Sequence, residues 1–458
     1  MSERSTWGIQ RVFIRLFAYF SNREVLQMSR ETKRLPLAVV ITVLAVLMCL
    51  PVAAQDAPVT LQFMFWGDPS APAFWQPMVD AFIADGHPNV TVQFIHQPDE
   101  YETKLQASIA AGDAPDVFLL NSNQILRFAN EGVILDQQPF YDAAGVNVDE
   151  TYVEAAIWRK DGELLAVAPS LHSIIVYYNK SMLDAAGVEY PPMTAADAWT
   201  WEEFVETARQ LTSGTDMDKV YGVYVAPWMT VWTPFVFSNG GSWFNEDVTA
   251  LALNSPEAVE ALQNMADLRL VEGVAPTLDI ADSIGWDVML QSGRIAMFID
   301  GTWNMPTMIE TWGEDLGIAV LPKYDEYRTA TFTDPPVVWS GTEHPDLAVE
   351  FVRFITDPAL QVAVYQSGNG VPSTRTFLSG EGLQAWLEGT SLPEGYATVV
   401  VDNVNYSGVM PGKVTNLMPA IEWPVVMPQL LSAFRGAIGV AEAMEAAAEA
   451  AVPVLAGQ

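Results

Sequence analysis

Tryptophan recurs where this chain breaks direction. Trp66, Trp228, Trp232, Trp243, Trp286, Trp303, Trp339 and Trp423 stand beside breaks in the apolar pattern rather than inside helical repeats. Groups that exchange hydrogen bonds lie close by: Asp68 and Asp300 past the ends of apolar runs, and Asn121 at the head of the polar cluster 121–124. Aromatic faces pack on flat C–H surfaces, while carboxylates and amides bond to hydroxyls. A saccharide offers both surfaces in one molecule. Each residue also has a plainer reading. Asp68 and Asp300 can cap the helix that follows, Asn121 can simply end its strand, and Trp75, Trp201 and Trp386, at helical spacing, are expected in the core.

The elements that must present these groups are legible. In "LQASIAAGDAPDVFLLNSNQ", residues 105–124, Gly112 can close a helix in the left-handed conformation and Pro115 cannot continue one. The helix is therefore over by Ala111. Asp99 is its expected cap, with Glu102 three residues on and Tyr101, Leu105 and Ile109 on one face. The apolar run 117–120 is too short for a helix and suits a strand covered on both sides in a parallel sheet. It is preceded by "VTLQFMFW", a helix carrying Trp75, Met78, Val79 and Phe82, and "VTVQFIH". That order is β-α-β-α-β, a parallel sheet with right-handed crossovers. Ligands of such sheets bind beyond the carboxyl ends of the strands, where Trp66 and 121–124 fall.

Farther on, "ELLAVAPSLHSIIVYYNK" reads as two strands broken at "PSLHS". "TWEEFVETARQLT" is a helix opened by a Thr200–Glu203 capping box. "APWMTVW" is expected to be a loop, with Trp228 or Trp232 facing a cleft. In "SGRIAMFIDGTWNM" the strand 295–299 gives way at once to Asp300, Gly301, Thr302 and Trp303.

The first 54 residues stand apart. Arg30, Lys33 and Arg34 precede the apolar run 35–54, which ends in Val52-Ala53-Ala54, the pattern of a secretory signal peptide. Translation from Met28 gives a leader of more usual length. A retained anchor is the alternative, because 20 residues can span a bilayer, but Pro36, Pro51 and the small-residue end favour cleavage near Gln55. Lipid attachment at Cys49 is disfavoured by Met48 before it. Cys49 is the one cysteine, so the exported chain needs neither disulfides nor thiol chemistry. Residues 1–54 hold 7 of the 22 Lys and Arg and 3 of the 56 Asp and Glu, leaving 15 against 53, a net charge of −38. Such a surface repels nucleic acid and anionic membranes. About 400 residues also exceed what one hydrophobic core usually serves, so two domains are expected.

Taken in order, "AGDAPDVF", "PSLHSIIVYYNKSMLDAAGV", "TWEEFVETARQLT", "NSPEAVEALQNMADL", "SGRIAMFIDGTWNM", "GIAVLPK", "HPDLAVEFVRFIT" and "GNGVPSTR" resemble the extracellular solute-binding proteins of family 1. These are the receptors of carbohydrate ABC importers. The resemblance covers nearly the whole exported chain. It implies an α/β fold of the type II periplasmic-binding-protein kind: two lobes, each a mostly parallel sheet flanked by helices, with the ligand in the cleft between them. Lobe I would take 56–171 with 335–404, and lobe II 172–334 with 405–458. The chain would cross between them near 171–174, 331–336 and 405–413.

The resemblance also implies roles for single residues. Trp303, in "GTW" with Gly301, looks like the family's sugar-stacking tryptophan. Trp423 lies where relatives carry a further stacking aromatic, and His172 where they place a polar ligand contact. Arg375 in "VPSTR" is the weakest candidate. The expected function is capture of an extracellular sugar or oligosaccharide and its delivery to the permease subunits in the membrane, by a monomer without enzyme activity, metal or cofactor.

Two other classes remain open from the residues alone. A secreted glycoside hydrolase would also use tryptophans and a carboxylate pair. An amine- or metal-binding protein would use the acidity and Tyr177-Tyr178, although His87, His96, His172 and His344 show no ligand spacing. The sequence has no P-loop and no Gly-x-Ser-x-Gly elbow.

Overall fold

A computed structural model describes residues 57–456 apart from Asp68, Ser70 and Val409. The leader, Met28, Cys49 and the site candidate Asp68 therefore lie outside the described residues. The chain starts with β1 (Val59–Phe65), a helix at Ala71–Ala84, β2 (Val90–His96), a helix at Tyr101–Ala111 and β3 (Val117–Leu119). β1 pairs in parallel with both neighbours, Val59 to Phe65 facing Val90 to His96 and Phe63 facing Val117. Trp66 and the turn 121–124 consequently leave the sheet at the same edge. The first helix buries Trp75, Met78, Val79 and Phe82 on the sheet, with Trp75 edge-on to Phe63 at 5.1 Å.

The helix at Tyr101–Ala111 stops as expected. Gly112 is left-handed (φ 71°) and its N–H returns to Ile109 O. Its start differs from the sequence expectation: Glu100 rather than Asp99 is the capping position, in a left-handed conformation (φ 54°) with no side-chain cap bond. The chain turns one residue later than expected, so Asp99 falls outside the helix end.

β4 (Ile157–Lys160) and β5 (Glu163–Val167) form a hairpin, and then the long β6 (Ser170–Asn179) begins. The break expected at "PSLHS" is confined to two residues, because β6 starts at Ser170 and holds His172 inside the strand. β7 (Tyr221–Val225), β8 (Ile295–Gly301), β9 (Leu316–Ala319), β10 (Thr329–Phe332), β11 (Pro336–Val338), β12 (Val371–Pro372) and β13 (Ser407–Gly408) complete the strands. Two main sheets result. One has the order β11-β3-β1-β2, with β11 antiparallel to β3; the other runs β13-β10-β6-β8-β7, and β9 and β12 also pair with β6.

The three segments expected to cross between lobes are side by side. Ser173 faces Thr331 and His172 faces Phe332, while Thr329 and Ala330 face Ser407 and Gly408.

Apolar packing follows the sheets. A core of Leu61, Phe63, Phe65, Trp75 and Phe82 with Phe351 and Ile355 covers one side of the first sheet. A larger core surrounds β6, β7 and β8 and takes in Trp201, Trp232, Trp243 and the last helix, Val440–Leu455. Trp386, Tyr396 and Val399 to Val401 belong to this larger core although they precede residue 404. Among the described residues no helix is long and apolar enough to cross a membrane.

The helix Trp201–Leu211 shows how local chemistry sets an element. Glu203 N–H donates to Thr200 Oγ1 at 3.2 Å, and Thr200 N–H donates to Glu203 Oε2 at 2.8 Å. Trp201, Phe204, Val205, Ala208 and Leu211 then fall on the buried face. Thr200→Ala removes one of these bonds, and chemical denaturation should show a loss of about 1 kcal/mol. An unchanged midpoint would mean that tertiary packing alone holds the helix.

Candidate functional site

Beyond the ends of β1 and β3 the chain builds an aromatic wall. Tyr101, in the first turn of its helix, donates its hydroxyl to Leu119 O at 2.8 Å and Met64 O at 3.1 Å, which fixes the ring across both strand ends. Trp66 packs perpendicular to that ring at 4.9 Å. Gly67 follows with φ 124°, and a Cβ there would sit 2.7 Å from Ala71 Cβ, so only glycine lets the chain turn here. Facing this wall is Trp423, 56% exposed, on the π-helical turn Glu422–Val426; such turns are often functional. Trp66, Gly67, Pro98, Glu100, Tyr101, Glu102, Thr103 and Trp423 line a cavity of about 850 Å³. Glu102 is held in place at its edge by Arg127, Gln106 and Gln124, each at 2.7 Å. Gln124 comes from the polar turn after β3.

That turn carries the most connected residue of the region. Asn121 is exposed and its Oδ1 accepts Asn123 N–H at 3.0 Å, so it shapes the turn. Asn123 is buried, and its Nδ2 donates to Glu422 Oε2 at 2.7 Å and lies 3.5 Å from Met229 Sδ. Gly412, after β13, presses on the same turn: a Cβ on it would lie 2.5 Å from Ser122 O and 2.6 Å from Asn123 Oδ1. Burial pushes the Glu422 carboxyl up to about 7, against the Asn123 bond and with the charge of Glu102.

A second cluster forms where β8 ends. Asp300 is buried, and its carboxyl accepts Gly301 N–H at 2.8 Å and Asn304 Nδ2 at 3.0 Å. Burial outweighs these bonds and a contact with the Trp228 side chain, pushing Asp300 up to about 7. The Trp303 ring lies over Gly301, where any Cβ would come within 2.2 Å of it. His172 from β6 stands edge-on to Trp303 at 5.8 Å, with its ring nitrogens 3.4 Å from Thr302 Oγ1 and Ser170 Oγ. Burial lowers this imidazole to about 4, so it is neutral and can both donate and accept. Trp228 is 42% exposed and immediately precedes Met229, the neighbour of Asn123.

Trp66 and Trp423 line the cavity with Asn121 in the neighbouring turn, while Trp228, Asp300, Gly301, Trp303 and His172 form the second cluster, and the contact of Asn123 with Met229 links the two. Two candidates belong to neither. Trp232 was expected in a loop, but that stretch is the helix Met229–Ser238. The ring has no exposure and stacks on Trp243 at 4.9 Å, packed in the larger core with Val231, Phe235 and Val236, whereas Trp228 sits outside the helix as its extended cap. Arg375 is exposed and donates to Asp149 O at 3.1 Å, apart from either cluster. Glu422, Tyr101 and Glu102 escaped the sequence reading as site residues, and Asn123 entered it only as a member of the polar cluster 121–124, with Asn121 singled out in its place. Adjacency was the available signal, since Asn123 is two residues from Asn121 and Glu422 is next to Trp423.

Comparison with known proteins places these features in a wider set. A sequence profile described as bacterial extracellular solute-binding protein matches residues 66–362. The arabinooligosaccharide-binding protein of Halalkalibacterium halodurans is 26% identical over 269 residues, 56% of this chain and 58% of that protein, so much of the relative's own length is unmatched. The maltodextrin-binding protein of Bacillus subtilis is 26% identical over 301 residues, 62% of this chain and 67% of that protein. Among solved structures, an ABC substrate-binding protein of Listeria monocytogenes in complex with cycloalternan superposes with a TM-score of 0.77 at 25% identity, covering 87% of this chain and 99% of that one.

Proposed function

The chain belongs to the bacterial extracellular solute-binding proteins, and from that premise we propose that it is the capture component of an ABC importer, binding a sugar or oligosaccharide between Trp66 and Trp423. The carrying observation is the cavity of about 850 Å³ with a tryptophan on either side and carboxylates at its edge. Stacked rings suit the C–H faces of pyranose or furanose units, and the carboxylates and amides suit their hydroxyls. Trp228, Trp303 and His172 extend the site, while Asp300, whose oxygens already hold Gly301 and Asn304, shapes it from behind. The two lobes hinge on β6, β10 and β13, with 56–171 and β11 to Ile355 in the first and 172–334 with 405–458 in the second, which Trp386, Tyr396 and Val399 to Val401 join by their packing rather than the first lobe expected for 335–404. Delivery to membrane permease subunits, export by the N-terminal leader and a monomeric state complete the proposal. The named relatives are binding proteins, and the comparisons give no support to a glycoside hydrolase.

A thermal-shift panel of maltotriose, arabinotriose and cyclic glucans tests the reading. A saccharide at a hundredfold excess over its Kd should stabilise the folded chain by about 2.7 kcal/mol. Chromatography of the same samples should show the sugar intact. No shift from any member sinks the sugar reading, and appearance of shorter sugars means that the protein is a hydrolase.

A further inference from the structure

Trp66 can act as a stacking platform only if its ring holds one tilt, because contact with a flat C–H surface needs the indole plane turned toward it. The backbone on either side is held by the end of β2. Phe65 O accepts Gln97 N–H at 2.9 Å, and Gly67 O lies 3.0 Å from His96 Nε2. What remains free is the rotation of the side chain itself.

Tyr101 limits that rotation. Its ring stands at 85° to the indole, with the centroids 4.9 Å apart. Its hydroxyl is anchored where the sheet leaves two carbonyls over: the last pair of the β1–β3 ladder is Met64 with Phe118, although the strands run one residue further, to Phe65 and Leu119. Beyond that last pair the phenol reaches Leu119 O at 2.8 Å and Met64 O at 3.1 Å, which share its one proton. Burial pushes the ionisation of this hydroxyl well above its ordinary value, so it stays a donor. The turn that delivers Tyr101 is itself unfavourable backbone. Glu100 is left-handed (φ 54°) with no side-chain cap bond, a conformation that residues other than glycine hold where their surroundings impose it.

We propose that Tyr101 is a positioning residue for saccharide recognition, its hydroxyl locking the ring that fixes the tilt of Trp66. The inference rests on the sugar-binding reading above and concerns the same cavity. Tyr101 also lines that cavity, but its two parts are separable. Phenylalanine keeps the ring beside Trp66 and loses only the anchor on the strand ends. The indole then samples more than one tilt, and ordering it again on the ligand weakens binding.

Fluorine NMR of the sugar-free protein labelled with 5-fluorotryptophan reads the tilt without any ligand. Trp66→Ala identifies the Trp66 resonance by its loss, and Tyr101→Phe should broaden or shift that resonance while leaving the others in place. Calorimetry with a saccharide that binds the wild type then closes a double-mutant cycle. Tyr101→Phe should raise Kd roughly tenfold, within the coupling found for residues in contact, yet by less than about twofold in the Trp66→Ala background. An unmoved Trp66 resonance, an unchanged affinity, or equal losses in the two backgrounds overturns the proposal. So does a Tyr101→Phe chain that fails to fold, because the hydroxyl would then hold the sheet rather than the platform. If no saccharide binds the wild type, the sugar reading falls and the fluorine spectrum still decides the role of Tyr101.

Discussion

Replacing Trp232 with alanine should lower the free energy of unfolding by about 3–5 kcal/mol, the range for deleting a fully buried large aromatic. The ring is inaccessible to solvent and stacks on Trp243 with an interplanar angle of 22°. Trp243 is in turn fixed by its indole N–H on Thr233 Oγ1 at 3.0 Å. The Trp232 indole nitrogen has no partner among the described residues, so truncation removes packing without removing a hydrogen bond. Trp232→Phe retains part of the stack and should cost less. Urea titration reads both. Saccharide affinity measured by calorimetry should be unchanged in the folded fraction of either variant; a collapse of affinity with an unmoved midpoint would place Trp232 in the site after all.

Trp423→Ala should behave in the opposite way. With more than half of the side chain exposed, its removal leaves no cavity, and unfolding should shift within about 0.5 kcal/mol, as for surface positions in general. A stacking platform that the ligand covers is a different matter. Truncating an aromatic anchor typically costs about 2 kcal/mol or more of binding, which is roughly a thirtyfold rise in Kd. Wild-type affinity in Trp423→Ala for a saccharide that binds the parent would remove this residue from the site. The two tryptophans make a matched pair, one read by stability and the other by affinity.

The contrast also marks where local sequence carries structural information and where it does not. The opening β-α-β-α-β unit, the Gly112 stop and the Thr200–Glu203 capping box depend on residues within a few positions of one another, and all are present as read. Trp228 and Trp232 looked alike because turn and helix compete in "APWMTVW". The decision falls to Val231, Trp232 and Phe235, which bury as a helical face in the larger core. The bond from Asn123 to Glu422 had no local signature, because its two ends meet only once both sheets are assembled. The π-helical turn that presents Trp423 is likewise a product of packing rather than of propensity. The opening unit was thus legible from short-range pattern, the two-lobed fold was expected only through the family resemblance, and the Asn123–Glu422 contact was not legible.

The strand order β11-β3-β1-β2 bears on how the chain reaches its native state. Its fourth member arrives late: Thr342, just past β11, bonds to Asp116, just before β3, 226 residues earlier. Until that part of the chain has been made, β3 has a free edge and the first core lacks Phe351 and Ile355. Contacts of such long sequence separation make folding slow. The first sheet therefore gains its last edge strand and the Phe351–Ile355 part of its core only once the chain beyond residue 338 has been made.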